Sequence, residues 1–271
     1  MTVENQAKTH FIPTSQLKTY SVVNDQGEDL GQVQNFILDM CSTRIAYVLV
    51  AFEGFLGLND KWIPMPFEIL TWDNEKRRFE LNISRKGLEK APTISKSEWP
   101  DKFLAKLEMK DHPTWLVSIY EYYDCEPYWV ECECDSCNET ATADNLQTHF
   151  IPTSRLKAYP VLDDNADGVG DVERIIMDMY SGRVAYMLVG LKGHVNDRWV
   201  AVPPDAMIWE TDTNDFRLRI SRKMLDAAPT IPTADWPKKF LADLENEEHA
   251  RWVQEVYDYY NYRPFWIIVE E

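Results

Sequence analysis

Residues 9–20, THFIPTSQLKTY, return at 148–159 as THFIPTSRLKAY. The segments downstream of the first copy recur in the same order downstream of the second, down to Pro127-Tyr128-Trp129 and Pro264-Phe265-Trp266. His149 stands 139 residues after His10, and Trp199 stands 137 after Trp62, so the first copy carries two extra residues in the loop 54–59, GFLGLN, where the second has GHVN. The period is domain-sized, far beyond the roughly 20–50 residues of stacked solenoid repeats. One domain is written twice: an N-terminal extension at 1–9, repeat 1 at 10–129, an acidic cysteine-containing linker at 130–148, and repeat 2 at 149–271.

Each repeat, at about 120 residues, is long enough to bury a core of its own. With 45% hydrophobic and 13% aromatic residues the chain reads as globular. It has no run of 18 apolar residues, and its start shows no basic stretch leading into an apolar one, so neither a membrane-spanning helix nor a secretory signal is expected. The balance of 45 acidic to 28 basic residues gives a net charge of −17. Nucleic acid and anionic membrane surfaces are disfavoured as partners, because both need Lys and Arg to neutralise phosphate. A basic protein partner remains open, as does the plain reading that acidity keeps the chain soluble. Repeat 2 has no cysteine and needs no disulfide, which points to a reducing, cytoplasmic setting.

Within each repeat the first two-thirds reads as short strands. Val33, 36–40 and 44–53 are rich in β-branched and aromatic residues around a Ser42-Thr43 turn, matched by Ser181-Gly182. Further strands are expected at 61–65, 69–72 and 78–83, and at 198–202, 207–210 and 216–220. Such spacing predicts a small antiparallel barrel or sandwich. The segment 45–52, IAYVLVAF, is apolar at every position, and 184–191 is apolar apart from Gly190, so this strand is expected to be covered on both faces. The cover is expected from the last third. Ser84 and Ser221 are candidate N-caps of a short turn that ends at Pro92 and Pro229, and Trp99-Pro100 and Trp236-Pro237 precede a short helix and then a longer one. On the longer helix Trp115, Ile119 and Tyr122 recur at i, i+4, i+7, as do Trp252, Val256 and Tyr259, one apolar face each.

The stretches FIPTSQL, VVNDQGEDLGQV, ILDMCSTRIAYVLV and KWIPMP, with FIPTSRL, VLDDNADGVGDV, IIMDMYSGRVAYMLV and RWVAVP in the second copy, resemble the PRC-barrel family, which includes the cytoplasmic domain of the photosynthetic reaction centre H subunit and the C-terminal domain of the ribosome maturation factor RimM. The resemblance covers roughly 10–90 and 149–227. It implies a mainly β, α+β protein: two tandem small antiparallel PRC-type β-barrels, each followed by a helical, aromatic-rich tail. It further implies a non-catalytic adaptor that docks a protein partner, with the duplication giving a two-headed platform, an internal pseudo-dimer or a homo-oligomer. Repeat 2 departs from the pattern in having Ala166 where repeat 1 has Gly27, which leaves the geometry of that turn open.

Candidate chemistry is sparse. Cys125, Cys132, Cys134 and Cys137 are candidate metal ligands, since four thiolates within thirteen residues can close a tetrahedral zinc or iron–sulfur site. Their spacing is not that of a zinc ribbon and no His joins them, so a redox-active disulfide and incidental linker thiols stay open beside metal binding. No other cofactor is expected. Asp163-x-Asn165-x-Asp167-Gly168 imitates the start of a calcium loop, but Arg174 occupies its twelfth position and a hairpin turn fits better. His10 and His149, His112 and His249, Asp39 and Asp178, and Asp60 and Asp197 all recur as pairs. No nucleophile or phosphate loop accompanies them, so they read as structural and the chain as no enzyme.

Overall fold

The structure is a computed structural model and describes residues 4–6, 8–17, 20–52, 60–83, 85–107, 109, 112–129, 148–156, 158–193, 197–244 and 247–269. The chain opens with β1 (Glu4–Gln6) and β2 (Phe11–Pro13), then β3 (Ser21–Val23), β4 (Asp29–Asp39), β5 (Arg44–Ala51), β6 (Lys61–Met65), β7 (Leu70–Asp73) and β8 (Arg78–Leu81). The first tail is α1 (Arg85–Glu89), β9 (Ile94–Ser95), α2 (Asp101–Leu107) and α3 (His112–Tyr122). Repeat 2 gives β10 (Phe150–Pro152), β11 (Tyr159–Leu162), β12 (Gly168–Asp178), β13 (Val184–Leu191), β14 (Arg198–Val202), β15 (Met207–Glu210) and β16 (Asp215–Leu218). Its tail is α4 (Arg222–Asp226), β17 (Thr230–Pro232), α5 (Lys238–Asp243), α6 (Glu247–Tyr260) and β18 (Ile267–Val269).

The compact units do not follow the repeat boundaries. One is formed by 1–16 with 157–271, the other by 17–156. The leading strand of each repeat is exchanged: β2 pairs antiparallel with β12, Phe11 opposite Asp178, and β10 pairs with β4, Phe150 opposite Asp39. The expected domains at 10–129 and 149–271 are therefore units of sequence, and the compact bodies trade their first strand. The physical reason is degeneracy. Both leading strands read Phe-Ile-Pro and the receiving edges 37–39 and 176–178 are close copies, so either strand completes either sheet. The extension 1–9 is not a bare tail either, since β1 pairs with β18 within the 1–16/157–271 unit.

In the 17–156 unit the strands run β7-β8-β3-β4-β5-β6-β9, with β10 on β4; in the other unit they run β15-β16-β11-β12-β13-β14-β17, with β2 on β12. Most pairs are antiparallel, as the hairpin spacing predicts. One pair per unit is parallel, β3 with β8 and β11 with β16, which makes both sheets mixed. After its leading Arg44, β5 is apolar throughout and buried along nearly its full length, with Ala46, Tyr47, Val48, Leu49 and Val50 all inaccessible. One of its faces meets the tail: Phe103 and Leu107 of α2 and Leu116 and Tyr120 of α3 share a core cluster with Ala46, Tyr47 and Leu49. Rings of this size contribute a few kcal/mol each when buried, at about 25 cal/mol per Å². The buried face of α3 is His112, Leu116, Ile119 and Tyr120, rotated about one residue from the Trp115/Ile119/Tyr122 stripe. Trp115 is half-buried at its margin, and Tyr122 is 38% exposed with its hydroxyl donating to the Gly87 carbonyl at 2.6 Å. In α6 the same shift leaves Val253, Val256, Tyr257 and Tyr260 inside. Ser221 caps α4 as expected, its hydroxyl accepting from the Met224 N–H; Ser84 lies outside the described residues.

Two glycines answer to close backbone approach. A Cβ at Gly31 would strike the Ala51 carbonyl, and one at Gly170 would strike that of Gly190, so the adjoining strands can cross there only over glycine. The calcium-like segment is a hairpin turn. The Asp163 carboxylate accepts from the N–H groups of Asn165 (3.0 Å) and Asp167 (2.9 Å), just as Asn24 accepts from Gln26 (3.1 Å) and Glu28 (2.8 Å) in the other copy. Ala166 keeps the left-handed backbone of Gly27, with φ of 64° against 78°. A left-handed L-residue costs roughly 1–2 kcal/mol, offset by the greater chain entropy of glycine. Ala166→Gly is thus expected to stabilise the 1–16/157–271 unit by about 1 kcal/mol, read as a higher urea midpoint with an unchanged slope.

Candidate functional site

The paired polar residues converge at the point where the exchanged strand arrives. In the 17–156 unit, Asp39 ends β4 and is 1% exposed. Its carboxylate accepts from the His149 N–H (3.1 Å), the Cys41 N–H (3.1 Å), the Ser42 hydroxyl (2.7 Å) and the Tyr128 hydroxyl (2.9 Å). One side chain thereby ties together the incoming strand, the β4–β5 turn and the Pro-Tyr-Trp tail. Asp178 does the same in the other unit, accepting from the N–H groups of His10 (2.8 Å), Tyr180 (3.4 Å) and Ser181 (3.1 Å) and from the Ser181 hydroxyl (2.6 Å). Phe265 stands where Tyr128 stands, so that copy lacks the tail's hydroxyl. Burial pushes both carboxyls above the usual carboxylate range, with the hydrogen bonds acting against it. Asp60 and Asp197 work through the main chain: their carbonyls accept from the Lys96 (2.8 Å) and Thr233 (2.7 Å) N–H groups.

His112 opens α3 and His249 lies in the first turn of α6, and both are buried. The Tyr47 hydroxyl is 3.3 Å from His112 Nε2 and the Tyr186 hydroxyl 2.9 Å from His249 Nε2. Each ring faces the exchanged phenylalanine, His112 to Phe150 at 4.9 Å between centroids and His249 to Phe11 at 6.0 Å. A tryptophan flanks each, Trp115 at 5.0 Å and Trp252 at 5.4 Å. His249 also borders a shallow cleft with Ile231, Asp235, Phe240 and Trp252. Burial lowers the His249 pKa to about 4. A base that is neutral when folded but titrates near 6.5 when unfolded contributes stability at neutral pH that is lost as pH falls through that window. Between pH 7 and pH 5 the 1–16/157–271 unit should lose about 2 kcal/mol on this account. Denaturant titrations of the native chain and of His249→Asn check it, because the difference in slope against pH should vanish in the variant.

Cys125 is half-buried and free, and its thiol is pushed up to about 11 by burial, with Glu68 and Glu126 adding to the shift. That environment holds it protonated at neutral pH, which is unfavourable to ligation. Cys132, Cys134 and Cys137 lie outside the described residues, as does nearly all of the linker 130–148. Among the described residues no group of three or more His, Cys, Asp or Glu side chains could hold a metal.

One cluster has no warning in the sequence. Arg174, which takes the twelfth position of the mock calcium loop, lays its guanidinium over two indoles, 5.1 Å from the Trp199 ring centre and 4.9 Å from that of Trp236. The indoles stand 5.8 Å apart at 71°. In the 17–156 unit their counterparts Trp62 and Trp99 stand 5.2 Å apart at 65°, but the residue in the place of Arg174 is Asn35. Asn35 is buried and turned to the 3₁₀ turn after β10, donating to the Ser154 hydroxyl at 2.8 Å and accepting from the Thr153 hydroxyl at 3.3 Å.

No curated protein matches the chain. The second repeat reproduces the strand order of the first, with the same parallel pair and the same exchanged strand. Residues 10–88 match the PRC-barrel domain family, a span that takes in β2 to β8 and the start of the tail, and the first repeat of this chain carries a PRC-barrel domain.

Proposed function

We propose that the chain is a non-catalytic protein-interaction module built from two PRC-type barrels, acting in the cytoplasm on a protein partner. The observation that supports this most is the use to which the duplicated polar residues are put. Asp39 and Asp178 fasten the exchanged strand, and His112 and His249 sit inside aromatic clusters. The two carboxylates are spent on hydrogen bonds at buried strand junctions and the two imidazoles on ring contacts and a tyrosine hydroxyl, a use that favours holding the fold over turning over a substrate. A net charge of −17 suits docking of a basic partner. Among the described residues no helix is long and apolar enough to cross a membrane.

Affinity capture with the purified full-length chain from native lysate at near-native salt should return one protein in fixed stoichiometry that rebinds when purified. Failure to recover any stoichiometric protein across several salt conditions would count against the adaptor reading.

A further inference from the structure

The two copies of the tryptophan pair differ in one respect: among the described residues, one has a guanidinium of the chain itself over it and the other has none. In the 1–16/157–271 unit the Arg174 guanidinium lies over both indoles and within 3.8 Å of the Glu173 carboxylate. A weakly hydrated, planar cation is attracted by the negative faces of two rings at once. The 17–156 unit keeps the ring pair, both indoles half-buried, in nearly the same geometry. Asn35 is too short to reach across it and is held elsewhere by Ser154 and Thr153. Among the described residues no cation stands over Trp62 or Trp99.

We propose that Trp62 and Trp99 form a seat for an arginine side chain supplied by a basic protein partner, with Arg174 in the sister unit as the intramolecular image of that contact. The choice of guanidinium rests on the group that fills the self-occupied copy, and the net charge of −17 favours approach of a basic segment. The inference deepens the adaptor reading and rests on it for the nature of the partner.

The test is a titration of the full chain with the blocked tripeptide Ac-Gly-Arg-Gly-NH₂, followed through the indole N–H resonances, with Trp62→Phe and Trp99→Phe used for assignment. The Trp62 and Trp99 signals should shift saturably while those of Trp199 and Trp236 stay in place. Asn35→Arg should cut the response at least fivefold by filling the seat from within. Because Asn35 is buried, Arg174→Asn provides an independent arm: removing a partly exposed side chain should make the Trp199 and Trp236 signals respond as well. Unmoved Trp62 and Trp99 signals, or equal shifts with Ac-Gly-Ala-Gly-NH₂, overturn the proposal, and equal shifts with the lysine tripeptide overturn its guanidinium assignment. A captured partner indifferent to Trp99→Phe and Asn35→Arg would uphold the adaptor and sink the seat. A responsive tryptophan pair without any captured protein would do the reverse.

Discussion

Phe11→Ala should destabilise the unit made of 1–16 and 157–271 and leave the 17–156 unit nearly untouched, although residue 11 belongs to the first repeat by sequence. Phe11 is 3% exposed, with the rings of Trp266, His249 and Tyr186 at 5.5, 6.0 and 6.4 Å. Removing a buried phenyl ring costs about 3–5 kcal/mol through lost transfer energy and the cavity left behind. Hydrogen exchange separates the two possibilities by location: protection should fall in β12, β13 and β14 and persist in β4, β5 and β6. Phe150→Ala should give the mirror image, because Phe150 packs with His112 and Tyr47 in the 17–156 unit. Loss of protection in β4 to β6 on mutating Phe11 would refute the exchange of strands.

Asp39→Ala should be comparably severe. It strands two main-chain N–H groups and two hydroxyls at a buried point, and an unsatisfied buried donor costs roughly 1–3 kcal/mol. Some of these groups will find other acceptors, so a loss of about 3–5 kcal/mol is expected in urea titrations. Asp39→Asn should recover most of it. Its carbonyl oxygen still accepts from His149 and Cys41, and its amide can donate to the hydroxyls of Ser42 and Tyr128 once these rotate. It also removes a charge whose burial raises the carboxyl pKa, so above that pKa the native chain bears a penalty that the asparagine does not. A fall as large for asparagine as for alanine would mean that the charge itself, rather than the acceptor geometry, holds the junction.

The β-rich core is legible because its signals are local. β5 and β13 announce double burial by apolar residues at successive positions, and β6 and β14 fall on 61–65 and 198–202 as the pattern predicts. The parallel pairs are less visible, since β3 and β8 meet only after the chain has built the strands between them. The strand exchange is invisible in principle: two identical Phe-Ile-Pro strands carry no mark of which sheet each will join. The face of α3 reads one residue out because Trp115 and Tyr122 are large and evenly spaced, whereas the buried positions include His112 and the hydroxyl-bearing Tyr120, which donates toward the Ala46 carbonyl at 2.8 Å. The buried, hydrogen-bonded settings of Asp39, Asp178, His112 and His249 go with their recurrence in both copies. The Arg174 stack escapes for the opposite reason, because comparing the copies draws attention to what they share and Arg174 is where they differ.

The crossed Phe-Ile-Pro strands also bear on what covalent continuity is for. If the peptide chain were severed anywhere in 130–147, each fragment would still own a piece that the other fragment's sheet requires. The halves would stay together by mutual complementation, as a heterodimer without a linker. Expressed apart, each would be left with a vacant edge and a loose strand, which is the recipe for pairing with a second copy of itself.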